Sequence, residues 1–126
     1  MIVGFTGTRK GMSRRQQEQF ALVVERFSDP WEEFHHGDAR GADSDAVRIV
    51  RSIDPDLAIV AHPAGPDPLA RNREIVQLSD ILIAAPETNK ETLRSGTWAT
   101  VRYARDAGLP IIMLSRGKKD MKGGIQ

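Results

Sequence analysis

The chain has 126 residues, a length typical of one domain with its own hydrophobic core. Its composition, 40% hydrophobic and 28% charged residues, excludes a disordered chain, and its lack of cysteine excludes disulfides, thiolate metal sites and cysteine nucleophiles. The formal net charge of +1 gives no overall attraction to nucleic acid. No apolar run approaches the ~20 residues that a membrane span needs, so we expect a cytoplasmic protein with no membrane partner.

In the first half of the chain, short apolar runs alternate with helical patterns. Residues 2–6 form the first predicted strand, and a Gly-rich loop then leads to a helix with Ser13 as its N-cap. The second strand is predicted over residues 32–36. It runs into the Gly- and Asp-rich segment 37–43, after which a second helix begins.

The same alternation continues in the second half. The third strand is predicted over residues 57–61, and a helix with Ile75, Val76 and Leu78 on its apolar face begins near Leu69. Residues 80–85 form the fourth and least polar strand. A fourth helix over 95–106 and a fifth strand over 111–114 complete the pattern.

Strands that alternate with helices in this way predict a parallel sheet with helices on both faces. We therefore expect an α/β fold: a single doubly wound, Rossmann-like domain over residues 1–115, with a mainly parallel five-stranded sheet. Residues 116–126 contain four basic residues and three glycines, and they predict a basic flexible tail.

The unusual residues fall at one edge of this sheet. The loops that follow the first four strands are rich in glycine, aspartate and arginine, whereas opposite loops, such as 29–30 and 54–56, contain ordinary turn residues. Ligands of such folds bind outside the carboxyl ends of the strands, where the strand order reverses. The asymmetry between the two edges therefore predicts a ligand site.

The residue types at this edge suit a phosphorylated, hydroxyl-bearing ligand. A helix that begins with Ser95, Gly96 and Thr97 offers free backbone N–H groups to a phosphate. Arginines supply fork-shaped cations, and Asp43 can accept hydrogen bonds from ribose hydroxyls. The candidate ligand-binding residues are Gly7, Thr8, Arg9, Gly37, Asp38, Gly41, Asp43, Arg71, Asn72, Arg94, Ser95, Gly96 and Thr97.

Each feature also has an ordinary structural explanation. Ser95 would serve as an N-cap, Arg9 as a solvated loop cation and Asp43 as an acid in the first turn of a helix. His35 and His36 point to opposite faces of a strand, which argues against a metal site, so we predict none. The pattern assigns no catalytic residue.

Four segments, in chain order, resemble the SLOG superfamily of Rossmann-like nucleotide-binding proteins over residues 4–114. Residues 4–9 resemble the G-S/T-R opening, and residues 36–43 resemble the H-G-x-A-x-G-A-D element of the YspA-type branch. Residues 71–80 and 94–104 resemble the R-N-R-x-I-x-x-L-S-D segment and the S-G-T/S-x-x-T-A-x-x-A helix start of DprA (Smf).

The resemblance implies a nucleotide or phosphoribosyl ligand and a homodimer or higher homo-oligomer, and it assigns no further cofactor. In the more distant lonely-guy phosphoribohydrolases, the P-G-G-x-G-T-x-E-E motif aligns with residues 94–100, and its two glutamates fall at Ala99 and Thr100. This difference favours a sensor or ligand-binding module over N-glycosidic bond cleavage. Single-stranded DNA, the ligand implied by DprA, needs a basic groove with aromatic platforms, and only 6% of these residues are aromatic.

Overall fold

The computed structural model describes residues 1–117, in which strands and helices alternate strictly. The strands are β1 (Ile2–Gly7), β2 (Glu33–His36), β3 (Ala58–Ala61), β4 (Ile81–Ala85) and β5 (Ile111–Met113). The helices are α1 (Arg14–Arg26), α2 (Ala42–Ile53), α3 (Pro68–Leu78) and α4 (Gly96–Asp106). Each predicted element is present, with ends that differ by one or two residues.

The five strands form one parallel sheet in the order β3-β2-β1-β4-β5. The chain moves outward from β1 to β3 and then returns to the other side of β1, so the strand order reverses between β1 and β4. Helices α1 and α2 pack together on one face, and α3 and α4 on the other. The predicted doubly wound α/β fold is therefore confirmed.

The larger core lies under α1 and α2. Phe5, Phe20 and Phe34 pack there with ring centroids 5.5 to 5.9 Å apart. On the other face α3 lies close to the sheet at Gly4, where a Cβ atom would sit 2.4 Å from the Ser79 hydroxyl oxygen. The sheet thus lies between two helical layers, and its carboxyl edge carries the loops.

Details at the helices confirm one prediction and correct another. Ser13 caps α1, accepting a hydrogen bond from the Gln16 amide, while the Gln16 side chain accepts one from the Ser13 amide. Leu78, expected on the apolar face of α3, is 46% exposed. It lies about 110° around the helix from the stripe centred on the buried Ile75 and Val76, which turns it out of the core.

The chain beyond β5 returns to the sheet edge at Arg116. Its guanidinium donates hydrogen bonds to the Gln16 side-chain oxygen and to the Pro86 carbonyl, at 3.2 and 3.4 Å. The rest of the predicted tail, residues 118–126, lies outside the described residues. Within residues 1–117, no helix combines the length and the apolar character needed to cross a membrane.

Candidate functional site

A cavity of about 290 Å³ opens at the carboxyl edge of the sheet, between the loops that follow β1 and β4. We call it the switch-point cavity, because it lies where the strand order reverses. The candidates that line it are Gly7, Thr8, Arg9, Gly37, Asp43, Arg71, Asn72, Ser95, Gly96 and Thr97. Residues from four separate segments of the chain are therefore brought together, as the asymmetry of the loops predicted.

The N-terminus of α4 opens into this cavity. Ser95 is its N-cap: the hydroxyl accepts from the Trp98 amide at 3.2 Å, and the carbonyl accepts from the Ala99 amide at 2.9 Å. Within the described part of the chain, the amides of Gly96 and Thr97 have no acceptor. Beyond its chain neighbours and the backbone of its own helix, no atom of the described residues lies within 4 Å of the place where a Gly96 Cβ would stand. Ser95 is thus a helix cap, and the next two amides remain available to an anion.

The loop after β1 forms the opposite wall, and its residues have separate roles. Thr8 joins three segments: its amide donates to the Ala85 carbonyl at 3.0 Å, and its carbonyl accepts from the Ala42 amide at 2.9 Å. The side chain of Arg9, in contrast, is exposed and has no hydrogen-bond partner among residues 1–117. Thr8 therefore fixes the wall, and Arg9 supplies it with an uncommitted cation.

Asp43 lies at the floor of the cavity, where it closes the loop after β2. Its Oδ2 atom accepts hydrogen bonds from the amides of Gly37 and Ala39, at 2.9 and 3.2 Å. Burial raises the pKa of Asp43 to about 6, although these two hydrogen bonds and the Arg71 charge oppose the rise. One carboxylate oxygen is thus used inside the protein, and a contact to ribose hydroxyls stays a prediction.

Arg71 crosses the cavity wall and is held by backbone carbonyls. Its Nη1 atom donates to the carbonyls of Gly37 and His62, the latter at 3.0 Å, and Nε donates to the Asn72 side-chain oxygen at 2.7 Å. A Cβ atom on Gly37 would lie 2.6 Å from that guanidinium. Gly37 and Asn72 therefore position Arg71, and their roles as direct ligand contacts stay predictions.

Three candidates do not line the switch-point cavity: Asp38, Gly41 and Arg94. Asp38 is exposed in a left-handed conformation with φ 56°, and Arg94 is exposed in the loop before α4. Gly41 is the N-cap of α2 with φ 85°, and a Cβ there would lie 2.2 Å from the Arg9 carbonyl oxygen. Position 41 requires glycine because two backbone segments meet there. The sequence alone does not distinguish this requirement from the open space at Gly96.

The structure adds Glu87 to the site. Its carboxylate lines the cavity and lies 2.8 Å from the Lys10 Nζ atom, which joins the loops after β1 and β4. Both side chains are at least half exposed, so this ion pair contributes little to stability. Glu87 stands in a polar loop with no motif around it, and no signal in the sequence singled it out.

The positions that correspond to the phosphoribohydrolase glutamates carry no acid. Thr100 is 1% exposed, and its hydroxyl donates to the Gly96 carbonyl at 2.9 Å within the helix. Among residues 1–117, no group of three or more histidine, aspartate or glutamate side chains is arranged to hold a metal ion. His36 stacks on Phe34, while His35 contacts His62 across the opposite face of the sheet, as the alternation in a strand predicts.

Comparisons with known proteins agree on the fold. No protein-family model and no curated protein sequence matches the chain. Among solved structures, it is similar to the molybdenum cofactor binding protein from the phototrophic bacterium Rippkaea orientalis, with 20% identity and a TM-score of 0.61 over 89% of this chain and 74% of that one.

Two DNA processing proteins are similar at the same level. DprA from Streptococcus pneumoniae has 20% identity and a TM-score of 0.64 over 88% of this chain, and DprA from Helicobacter pylori, which binds single-stranded DNA, has 19% identity and a TM-score of 0.63 over 90%. The chain spans 49% and 64% of these two proteins, respectively. The neighbours have the SLOG-type fold, and at this identity the likeness shows the Rossmann-like α/β fold alone.

Proposed function

We propose that the chain is a SLOG-type binding module that holds a nucleotide or a nucleotide-derived, phosphoribosyl-containing molecule in the switch-point cavity. The observation that supports this proposal most is the open N-terminus of α4, whose Gly96 and Thr97 amides face a cavity at the reversal of strand order. The volume of the cavity, about 290 Å³, is just below the range of about 300 to 1,000 Å³ that is typical of ligand pockets.

The phosphate of this ligand lies at α4 in our proposal. The partial positive charge of the helix N-terminus and the amides of Gly96 and Thr97 favour an anion there. Arg9 on the opposite wall adds a full charge and a bidentate donor group. The carboxylates of Asp43 and Glu87 line other parts of the cavity, where they suit ribose hydroxyls or a base amino group as acceptors.

Binding without cleavage fits the carboxyl groups of the cavity better than hydrolysis does. Thr100 is buried and bonded within α4, and Ala99 has no functional group, so α4 supplies no acid to a glycosidic bond. Asp43 is engaged by two amides and Glu87 by Lys10. Chromatography of nucleoside monophosphates after long incubation tests this: we expect intact substrate, and release of free base that is lost in Arg71→Ala would establish the hydrolase alternative.

Single-stranded DNA is the second candidate, supported by the likeness to a DprA that binds it. The aromatic side chains near α4 argue for a small molecule instead. Trp98 is 7% exposed and its indole N–H donates to the Thr88 carbonyl at 3.3 Å, while the guanidinium of Arg73 covers the Tyr103 ring at 4.6 Å. The Trp98 ring is therefore closed to bases, and the 38% exposed Tyr103 ring, contacted by Arg73, does not by itself make a platform for successive bases. An oligonucleotide whose affinity falls steeply with salt would support DNA binding.

Calorimetric titration with AMP, ADP-ribose and cyclic nucleotides tests the proposal. We expect at least one to bind, and Gly96→Asp to weaken that binding by more than about tenfold, because a carboxylate would occupy and repel the phosphate position. Gly65→Asp is the matched control, since Gly65 also has open space at its Cβ position and lies outside the switch-point cavity. No binding of any compound to the folded protein would refute the proposal, as would equal losses in both variants.

Native mass spectrometry of freshly purified protein identifies a retained ligand and measures the assembly in the same spectrum. We propose a homodimer or higher homo-oligomer, as the SLOG resemblance implies. Leu93, which is 88% exposed in the loop before α4, is a candidate contact between copies. A monomer at micromolar concentration would contradict this part.

A further inference from the structure

Four titratable side chains form a line on the α3 face of the sheet, outside the switch-point cavity. Glu33 Oε1 lies 2.7 Å from His35 Nε2, His35 Nδ1 lies 2.7 Å from His62 Nε2, and His62 Nδ1 lies 2.8 Å from Glu74 Oε1. Each imidazole therefore uses both of its nitrogens. All three distances are those of hydrogen bonds, so each needs one proton between its two atoms.

The line joins three elements and is shielded at its centre. Glu33 and His35 belong to β2, His62 follows β3, and Glu74 belongs to α3. The side chains of His35 and His62 are 6% and 11% exposed, whereas those of the two glutamates are 43% and 63% exposed. Water therefore reaches the two carboxylates freely. The histidine side chains are shielded, so the protons of the imidazole–imidazole contact are determined by the four side chains of the line.

Counting protons fixes the charge of this line. An ionised carboxylate only accepts, so Glu33 requires a proton on His35 Nε2, and Glu74 requires one on His62 Nδ1. A neutral imidazole has a single N–H, so two neutral histidines would place two lone pairs against each other at 2.7 Å. A third proton removes this conflict, and the histidine pair then carries one positive charge between two negative ones.

We propose that His35 and His62 share one bound proton, which clamps the segment after β3 onto β2. The clamp reaches the switch-point cavity through the backbone of the same residue. The carbonyl of His62 accepts from Arg71 Nη1 at 3.0 Å, and Arg71 lines the cavity. Loss of the proton turns the His35–His62 contact repulsive, displaces His62 and loosens Arg71.

Other charged groups lie near the His35–His62 pair and either favour or oppose its bound proton. Arg71 on α3 opposes the bound proton, and Asp67 at the N-cap of α3, which lines the same surface cavity as His62, favours it. From the opposite face of the sheet, burial lowers the pKa of His36, and the charges of His62 and Arg51 lower it further, against Asp38. The pKa of His36 is therefore lowered mainly by burial and in part by the charge of the pair itself.

Nitrogen NMR tests this directly, because the chain has three histidines in all. In protein labelled with 15N, we expect a scalar coupling between His35 Nδ1 and His62 Nε2 at mildly acidic pH, together with three N–H protons on the pair. As the pH is raised, the coupling should disappear together with the third proton. Arg71 and Gly37 amide resonances should move with the same midpoint.

The variant Glu74→Gln separates a shared proton from ordinary packing. The side-chain amide that this substitution introduces can donate to His62 Nδ1, so His62 donates to His35, His35 donates to Glu33, and two neutral imidazoles satisfy all three bonds. We therefore expect the coupling in this variant to persist at a pH at which the wild type has lost it. Glu18→Gln on α1, an exposed glutamate paired with Arg14, is the control and should behave as the wild type.

Two results would overturn the proposal. One is the absence of imidazole–imidazole coupling at every pH in a folded wild-type protein, as judged by its dispersed amide spectrum. The other is an identical pH dependence of the coupling in the wild type and Glu74→Gln. Because no ligand is added, neither result depends on whether the switch-point cavity binds a nucleotide.

Discussion

Helices α2 and α4 both begin at the carboxyl edge of the sheet, and both begin with glycine and small polar residues. At the start of α2, the backbone groups already contact other parts of the protein. The Ala42 amide donates to the Thr8 carbonyl at 2.9 Å, and Gly41 is pressed against the Arg9 backbone. The Asp43 carboxylate binds two amides of the preceding loop.

At α4 the corresponding groups remain open. Ser95 satisfies the Trp98 amide, while the amides of Gly96 and Thr97 face the switch-point cavity. A glycine at a helix start can therefore serve two purposes. Gly41 lets two parts of the chain meet, whereas Gly96 leaves a space that a ligand can fill. The difference separates residues that build the site from residues that contact the ligand.

The largest expected effect is on stability and comes from replacing Gly41 with alanine, with Gly96→Ala as the comparison. Gly41→Ala places a Cβ 2.2 Å from the Arg9 carbonyl oxygen at a positive φ, so we expect a loss of about 2 to 4 kcal/mol in the free energy of unfolding. Gly96→Ala meets no atom beyond its chain neighbours and its own helix backbone, and it should change the free energy of unfolding by less than about 1 kcal/mol. Urea unfolding followed by circular dichroism measures the free energy of unfolding of both variants. Similar losses would contradict the difference that we infer between the two helix starts.

The next effect concerns Asp43 and pH. Because burial raises its pKa to about 6 from 3.8, the folded protein binds this proton more tightly than the unfolded chain. The resulting stability is present below about pH 4 and is lost as the pH rises through about 6. An asparagine side chain at this position would keep an oxygen that accepts from both amides and would have no charge to bury.

We therefore expect Asp43→Asn to be more stable than the wild type at pH 7, by on the order of 2 kcal/mol, with the gap closing toward pH 4. Unfolding curves at several pH values give this difference directly. A wild type that is more stable at pH 7, with its advantage lost in acid, would mean that the ionised carboxylate stabilises the fold.

A smaller effect distinguishes Arg9, in the loop after β1, from Arg94, in the loop before α4. Arg9 lines the switch-point cavity without a partner among the described residues, and Arg94 lies outside the lining. Arg9→Ala should weaken binding of the nucleotide ligand by about 5- to 20-fold, less at high salt, while Arg94→Ala changes it by less than about twofold. Calorimetry on both variants tests this. A larger loss of affinity in Arg94→Ala than in Arg9→Ala would indicate that the ligand binds outside the switch-point cavity.

Much of the fold could be predicted because the signals are local. The apolar runs and helical spacings place each element, and the loops after four strands share one edge by topology alone. Ser13 and Ser95 as helix caps follow from residue type and position. Leu78 was misplaced because its spacing from Ile75 suited a broad apolar face, whereas the buried stripe of α3 is narrow.

The uses of individual site residues could not be predicted in the same way. Gly41 and Gly96 look alike in sequence, and their difference depends on whether another backbone approaches. Glu87 enters the cavity through the path of a loop, and the His35–His62 contact depends on how the segment after β3 lies beside β2. These are long-range arrangements, which residue types and spacing do not determine.

The most direct test of a phosphate site at α4 is a titration of 15N-labelled protein with AMP, followed by amide NMR. We expect the amides of Gly96 and Thr97 to shift most strongly, since they face the open cavity without an acceptor among the described residues. The Ala42 amide, already bonded to Thr8, should remain nearly unchanged. Saturable shifts centred on Ala42 and the start of α2, with Gly96 and Thr97 unaffected, would contradict the account.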